Sequence, residues 1–435
     1  MQLTVDNRKL AEGWVKKQLA DLIEISHGYA FKGADFEKSD DITKPIVLTP
    51  GNYSESGELY FTAQNTKRLT GSVPPSGYLF DVGELTVVMT DLSSKMKILG
   101  KPAFINQPNI LHNQRIGRIY FKDKSIVPQF LYYFFRTRVF ADKIKETATG
   151  TMVRHTAPNR ILANKILVPP LLEQKRIVAI LDKAFEGIDR AIANTEKNLA
   201  NARELFESYR NSLLTQDNEQ WEKTTLGAEI DLMTGFPFKS NGYTDSDPNI
   251  RLLRGDNIVQ GALRWDDVKK WPESEISEYL IYQLKQDDVV LVMDRPWVKA
   301  GLKHAMISSD DLPCLLVQRT ACLRGNKNIN NRFIMYLIGS HLFIQHILSN
   351  QTGIGVPHIS GKQIQSFKFL KPSLFEQNFI SDNLDELRSK SQRLEAVYRQ
   401  KLAALNELKQ SILQKAFTGE LTADTPKTVK EKIAA

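Results

Sequence analysis

The chain has 435 residues, more than one ordinary core accommodates, and domains of roughly 100 to 200 residues imply two or three. Its 58 basic and 50 acidic side chains give a net charge of +8 and a pI near 9.1, a mild bias toward polyanionic partners. Cys314 and Cys322 are the only cysteines, which excludes a disulfide framework and a zinc site of four thiolates.

No apolar run approaches the roughly 20 residues that cross a bilayer, and MQLTVDNRKLAEGW at the start lacks the basic-then-apolar layout of a signal peptide. A soluble, cytoplasmic chain with no membrane partner is expected. His341 and His346 stand five apart, which puts them on different faces of a helix, so they read as ordinary core or surface histidines and no metal site is expected.

From Trp14, WVKKQLADLIEISHGYAFK reads as short strands around a glycine turn. PGNYSESGEL, with Gly51 and Gly57, reads as a strand-to-strand turn, and ELTVVMTD, ending at Asp91, as a strand. Gln114 and Arg115 fall in a further apparent strand, where an internal ion pair and a DNA contact are both open for the arginine. QFLYYFFRTRVFADKI supplies a helix, and ATGTMVRH a glycine loop holding Thr149, Gly150 and His155. At Pro169 a helix begins, PPLLEQKRIVAILD.

The same series then recurs. WEKTTLGAEIDLMTGFPFK from Trp221 sets Gly235, Phe238 and Lys239 against Gly28, Phe31 and Lys32. RGDNIVQGAL repeats the glycine spacing with Gly255 and Gly261, and DVVLVMDR, ending at Arg295, repeats the strand. Gln318 and Arg319 match Gln114 and Arg115, while QTGIGVPH brings back the loop with Thr352, Gly353 and His358. KPSLFEQNFISDNLDE restarts the helix, so that Glu173, Gln174, Ile177, Leu181 and Asp182 recur as Glu376, Gln377, Ile380, Leu384 and Asp385. Register kept over such a length marks an internal duplication.

Both restarted helices carry a heptad seam. In the first it runs Ile177, Leu181, Ala184, Ile188, Ile192, Thr195, Leu199, Ala202, Phe206, Tyr209 and Leu213; in the second, Ile380, Leu384, Leu387, Ser391, Leu394 and Tyr398, then Leu402, Leu405, Leu408 and Ile412 after a slip of phase. Ser373 and Glu376 have the spacing of a capping box. Two seams in one chain cover each other most economically as an antiparallel pair, and about 40 helical residues span up to roughly 60 Å, longer than a DNA turn of roughly 34 Å.

The fold expected is therefore α/β or α+β, two tandem domains separated by an antiparallel pair of long coiled-coil helices, with an internal pseudo-two-fold repeat. The boundaries are 1–170 for the first domain, 171–216 for the first helix, 217–372 for the second domain, 373–420 for the second helix, and 421–435 for a flexible tail.

The proline, short gap, Glu-Gln and apolar helix, seen from Pro170 to Ile177 and from Pro372 to Ile380, resemble the specificity subunit of type I restriction-modification enzymes. The ending QSILQKAFTGELT from Gln410 resembles that family too, and the likeness covers nearly the whole chain. The resemblance implies two target recognition domains that read the halves of a bipartite site on double-stranded DNA, with helices that fix their separation and dock two methyltransferase subunits. It implies no catalysis and no cofactor in this chain. S-adenosylmethionine, ATP and Mg belong, on this likeness, to the methyltransferase subunits and to the restriction or translocase subunits.

Base-reading residues cannot be carried over from a family whose recognition domains vary, so local chemistry supplies the candidates. Lys and Arg on turns suit phosphates, and Arg, Asn or Gln suit base edges. In the first domain these are Lys32, Asn52, Lys95, Lys97, Lys101 and Arg154; in the second, Lys239, Arg254, Asn257, Arg295, Lys299 and Lys303. Tyr29 and Phe236, beside the repeated glycines, read as core edges that could also meet a base or sugar, and the loops at Thr149, Gly150, Thr352 and Gly353 read as turns that could approach a phosphate.

Catalytic motifs are missing from the sequence. Neither Pro74–Pro75 nor Pro169–Pro170 has the flanks of an adenine methyltransferase motif, and GVPHISGKQ departs from a phosphate-binding loop in its glycine spacing and at Gln363. Two other readings fit the pattern: a coiled-coil protein scaffold without a DNA role, and the DNA-reading subunit of a fused restriction-methyltransferase enzyme.

Overall fold

A computed structural model describes residues 13–70, 75–216, 218–299, 301–350 and 357–423. Thr352, Gly353, Pro74 and the tail from Asp424 onward lie outside the described residues. The chain divides into two compact units, one of Met1–Thr195 with Lys401–Ala435 and the other of Glu196–Gln400.

In the first unit a four-stranded antiparallel sheet runs in the order Ile23–His27, Ile116–Phe121, Leu85–Val88, Pro102–Phe104. Its central strand is buried at every position because both faces are covered: Leu85 and Val87 point into one core, and Val88 into another. A continuous apolar run replaces the alternation of a one-sided strand. Ile23–His27 borders the sheet and does alternate, with Ile23 and Ile25 buried and Glu24 exposed. The second face carries a smaller sheet, in which Ile46–Val47 pairs in parallel with Ile110–Leu111. The first face carries the helices Pro128–Phe135 and Arg138–Thr147, whose Phe130, Phe135 and Phe140 are fully buried.

Unit two repeats this plan. Its sheet runs Ile230–Thr234, Thr320–Gly325, Val289–Val292, His304–Met306, again antiparallel. Val289 and Leu291 face one core, Val290 and Val292 the other. Ile250–Leu253 pairs in parallel with Cys314–Leu316, and the helices Asn331–Gly339 and His341–Asn350 cover the first face. A two-stranded antiparallel pair lies before each long helix: Val15–Gln18 with Lys165–Val168, and Glu222–Thr225 with Lys368–Lys371.

The long helices are Leu171–Leu214 and Leu374–Thr418. Each unit holds a segment of both, so the pairing is antiparallel. In the first unit Ile177, Leu181, Phe185 and Ile188 share a core with Leu413 and Ala416, and Lys409 reaches the carboxylate of Asp189. In the second, Leu214 shares a core with Ile380 and Leu384, Ser391 donates to the Ala202 carbonyl at 2.8 Å, and Arg203 meets Glu395 at 3.0 Å. Ile177 and Leu181, both fully buried, contribute roughly 2 kcal/mol each by leaving water.

The Glu-Gln of the helix start proves to be a clamp. Gln174 is fully buried; its amide oxygen accepts from the Val127 amide at 2.8 Å, and its nitrogen donates to the Ser125 and Pro169 carbonyls at 2.7 and 2.9 Å. Gln377 does the same with Asn330 N–H and the Asn328 and Pro372 carbonyls, at 2.8, 3.2 and 2.9 Å. About two turns later in each copy a tyrosine from the packed helix donates to an aspartate: Tyr133 to Asp182 at 2.5 Å, and Tyr336 to Asp385. Each long helix is thereby fixed to its own domain by the same two contacts. The capping box at Ser373 and Glu376 is present, with Ser373 N–H donating to the Glu376 carboxylate at 2.9 Å.

Two seam expectations need correction. Tyr209 is exposed, and Arg210 takes the buried position beside it. The second helix shows no slip: its inward positions step through Ser391, Glu395, Tyr398, Leu402, Leu405, Lys409 and Ile412, while Leu394 and Leu408 face solvent. The apparent slip arose because Glu395 and Lys409 hold seam positions as charges, each answered by an opposite charge on the other helix, Arg203 and Asp189.

Candidate nucleic-acid interface

Gly28 and Gly235 begin the geometry of the exposed turns. A side chain at Gly28 would run into the backbone of His112 and Asn113, and one at Gly235 into that of Leu316 and Val317. The close approach lets the next residue bond twice across the gap. Tyr29 N–H donates to the His112 carbonyl at 2.8 Å and its own carbonyl accepts from Gln114 N–H at 2.9 Å; Phe236 N–H donates to the Leu316 carbonyl at 3.0 Å and the Phe236 carbonyl accepts from Gln318 N–H at 2.8 Å. The far side is held as well, since the Arg115 carbonyl accepts from Met89 N–H at 2.9 Å and the Arg319 carbonyl from Met293 N–H at 2.8 Å.

Gln114–Arg115 and Gln318–Arg319 are therefore turns immediately before the strands Ile116–Phe121 and Thr320–Gly325, not strand residues as the sequence suggested. Their backbones are pinned on both sides and their four side chains are exposed. Arg319 meets Asp294 at 3.0 Å, and Asp294 also bonds the His358 ring. In the first unit Thr90 stands in the place of Asp294 and bonds His155 Nδ1 at 3.1 Å. The sequence signal for these turns was the repeated Gln-Arg pair itself.

Of the residues expected to meet DNA, Lys32, Lys95, Lys239, Arg295 and Lys299 are exposed. Lys97 is exposed but paired with Glu55 at 2.6 Å, and Arg254 is half-buried and paired with Asp256 at 3.1 Å. Arg154 lies half-buried in a strand paired with Thr90–Asp91, its Nε without a hydrogen-bond partner among the described residues. Lys101 is half-buried, and burial, with Arg136 and Lys145 nearby, pulls its ammonium down to about 8. Burial likewise lowers Lys303, whose ammonium donates to the Gly255 carbonyl.

Asn52 and Asn257 are placed against their expected role. Both are buried, and both close a turn: Asn52 accepts from Thr49 N–H at 2.9 Å and donates to the Asn65 carbonyl at 3.1 Å, while Asn257 accepts from Arg254 N–H at 3.1 Å and donates to the Arg264 carbonyl at 3.0 Å. Their amides are spent on the backbone of the glycine turns, which leaves them no surface for a base edge. Tyr29 is partly exposed and edge-on to Phe31 and Tyr78, and Phe236 packs with Phe238, Tyr279 and Tyr282. Thr149 pairs with His155 across Gly150, whose φ of +89° closes the turn.

Among the described residues no group of three or more His, Cys, Asp or Glu is placed to hold a metal ion. Cys314 and Cys322 are buried, and burial pushes the Cys314 thiol up to about 12. His346 spends a ring nitrogen on the Gln363 carbonyl at 2.7 Å, as an ordinary packed histidine does. The end of the stretch that mimicked a phosphate loop is a helix cap, Ser360 accepting from Gln363 N–H at 3.3 Å. No described helix is long and apolar enough to cross a membrane.

Residues 11–201 match the family described as Type I restriction modification DNA specificity domain. Over 182 residues the chain is 37% identical to the Type I restriction enzyme EcoAI specificity subunit of Escherichia coli, an alignment that covers 42% of this chain and 30% of that one. The MjaVIII specificity subunit of Methanocaldococcus jannaschii is 25% identical over 359 residues, covering 76% of this chain and 83% of that one. The StySPI specificity subunit of Salmonella potsdam is 23% identical over 441 residues, with 95% and 90% covered. In fold, a chain solved in work on complex assembly and conformational transition of the type I R-M system superposes with a TM-score of 0.73 at 17% identity, covering 95% of this chain and 100% of that one. The HsdS subunit from Thermoanaerobacter tengcongensis superposes with a TM-score of 0.52 at 17% identity, covering 96% and 99%.

Proposed function

The chain belongs to the type I restriction-modification specificity family, and from that premise we propose that it reads a bipartite site on double-stranded DNA, one half with each unit. The observation that carries this reading is the duplication of the exposed, backbone-pinned Gln-Arg turn on two domains of the same strand order. A chain that reads one continuous site has no use for the same presenting turn twice. The paired long helices, 44 and 45 residues, act in this proposal as the spacer that sets the number of unread bases between the halves. They also offer the docking surface for two methyltransferase subunits, and restriction or translocase subunits join the full complex.

Chemistry is assigned to those partners. S-adenosylmethionine is bound by the methyltransferase subunits, and ATP and Mg by the translocase. This chain contributes position. Charged contacts to phosphates supply most of the affinity and make it fall steeply with salt, while base-edge contacts from the diverged loops supply discrimination.

The test uses the chain assembled with its methyltransferase subunits. The methylated adenines of host DNA identify the site, and binding is then measured on a duplex carrying it and on two duplexes with one half scrambled. Loss of specific binding on scrambling either half is the expected result. Equal binding to all three duplexes would overturn the proposal.

A further inference from the structure

Gln114–Arg115 and Gln318–Arg319 are exposed in both units, and the shared pair bears on how the chain divides its contacts with DNA. Loops around the turns have diverged: Lys67 and Asn65 line the recess beside Arg115, a cavity of about 270 Å³, whereas Arg319 is paired with Asp294, which also bonds His358. Through that divergence Gln114–Arg115 and Gln318–Arg319 keep residue type, exposure and the same three backbone hydrogen bonds apiece fixing the turn from both sides. Neither glutamine amide has a hydrogen-bond partner among the described residues, nor does the Arg115 guanidinium. A pinned backbone presenting long, unsatisfied donors is built to meet acceptors that come from outside the chain.

Two acceptor classes exist on a duplex. Base edges differ between half-sites, so side chains that read them must differ between the units. Phosphate oxygens are the same everywhere, and the residues that meet them can be the same in both. We propose that Gln114–Arg115 and Gln318–Arg319 form a duplicated phosphate clamp, the guanidinium forking onto one phosphate and the glutamine amide donating to a neighbouring backbone oxygen, which fixes each unit's register on DNA without reading sequence. This rests on the DNA-reading proposal above and names the residues through which each unit holds the backbone.

The clamps are not equal. Asp294, 3.0 Å from the Arg319 guanidinium, offsets part of its charge, whereas Thr90, in the matching place, carries none. Arg115 therefore anchors more strongly than Arg319.

The experiment compares Arg115→Ala, Arg319→Ala and Arg115→Lys, each in the full chain assembled with methyltransferase subunits. Binding is titrated over a range of salt on a duplex carrying the mapped methylation site and on a scrambled duplex of equal length. Arg115→Ala is expected to weaken both by roughly tenfold, with the slope of log affinity against log salt shallower by about 0.9. Arg319→Ala should do less of both, Arg115→Lys should keep the wild-type slope, and the methylated sequence in cells should stay the same for all three. A loss confined to the mapped duplex, a changed methylation sequence, or wild-type affinity and slope in Arg115→Ala would each overturn the clamp. If the wild-type complex itself fails to tell the two duplexes apart, the DNA-reading proposal falls, and that result is separate from any behaviour of the variants.

Discussion

The two units agree in strand order, in the glutamine clamp and in the tyrosine–aspartate contact, yet differ where the domain meets the long helices. In the first, Arg136 of the domain lies over the ring of Phe185 on the helix at 5.2 Å, and Lys409 approaches the same ring at 5.1 Å. In the second, the matching positions are Gly339, Arg388 and Phe206. Cation and ring have changed places. Arg388 now comes from the helix and donates to the Gly261 carbonyl at 2.6 Å, Arg210 lies over Phe206 at 5.6 Å, and with no side chain at Gly339 a cavity of about 440 Å³ remains. The difference teaches that duplication preserved the backbone bonds that orient the helix, while the packing beside them was free to be rebuilt with the same kinds of group on opposite partners.

If the glutamine clamp is the shared anchor, its removal should be the costliest change and should cost both units alike. Gln174→Ala and Gln377→Ala each orphan a buried amide N–H and two carbonyls, a loss on the order of 4 kcal/mol apiece, read from urea unfolding of the full chain. A large loss from one and none from the other would break the equivalence.

Acid should come next, and should again act on both units. His112 and His304 are buried, one in each unit, and burial holds each ring down at about 4 against an ordinary 6.5. A depressed histidine favours the neutral ring in the folded state, so its contribution is complete above pH 6.5 and is lost as pH falls toward 4. Each accounts for up to about 3 kcal/mol across that window. Unfolding midpoints measured in small steps over it should fall for the wild type, and His304→Gln should flatten part of the fall.

The smallest effect is expected at the helix seam. Lys409→Met removes a buried ammonium and leaves its half-exposed partner Asp189 to water, and the change should stay within about 1 kcal/mol of zero. A loss of several kcal/mol would mean that the ion pair, more than the packing, holds the segments together.

The duplication, the sheet-bearing domains and the long helices were legible because each leaves a periodic or repeated mark in the residues. The seam was legible only where its positions are apolar, and Glu395 and Lys409 hid the true phase because a charge in a seam looks like solvent-facing surface. Asn52 and Asn257 looked like base readers because an amide beside a turn has the same appearance whether it faces out or caps the backbone, and only the hydrogen-bond partners distinguish the two. Arg115 and Arg319 were misplaced by a single residue, into the strands that follow them, since apolar neighbours on one side mask a turn on the other. Gln174 and Gln377 stood out as a repeated pair, but nothing local said that a glutamine one turn into a helix would be wholly buried.

The division of labour between the units is tested most directly by exchange. Residues 217–372 would be replaced by the matching stretch of another type I specificity subunit, and the adenines methylated in cells mapped before and after. The account predicts that one half of the split sequence changes while the other stays as it was. A change in both halves, or in neither, would contradict it.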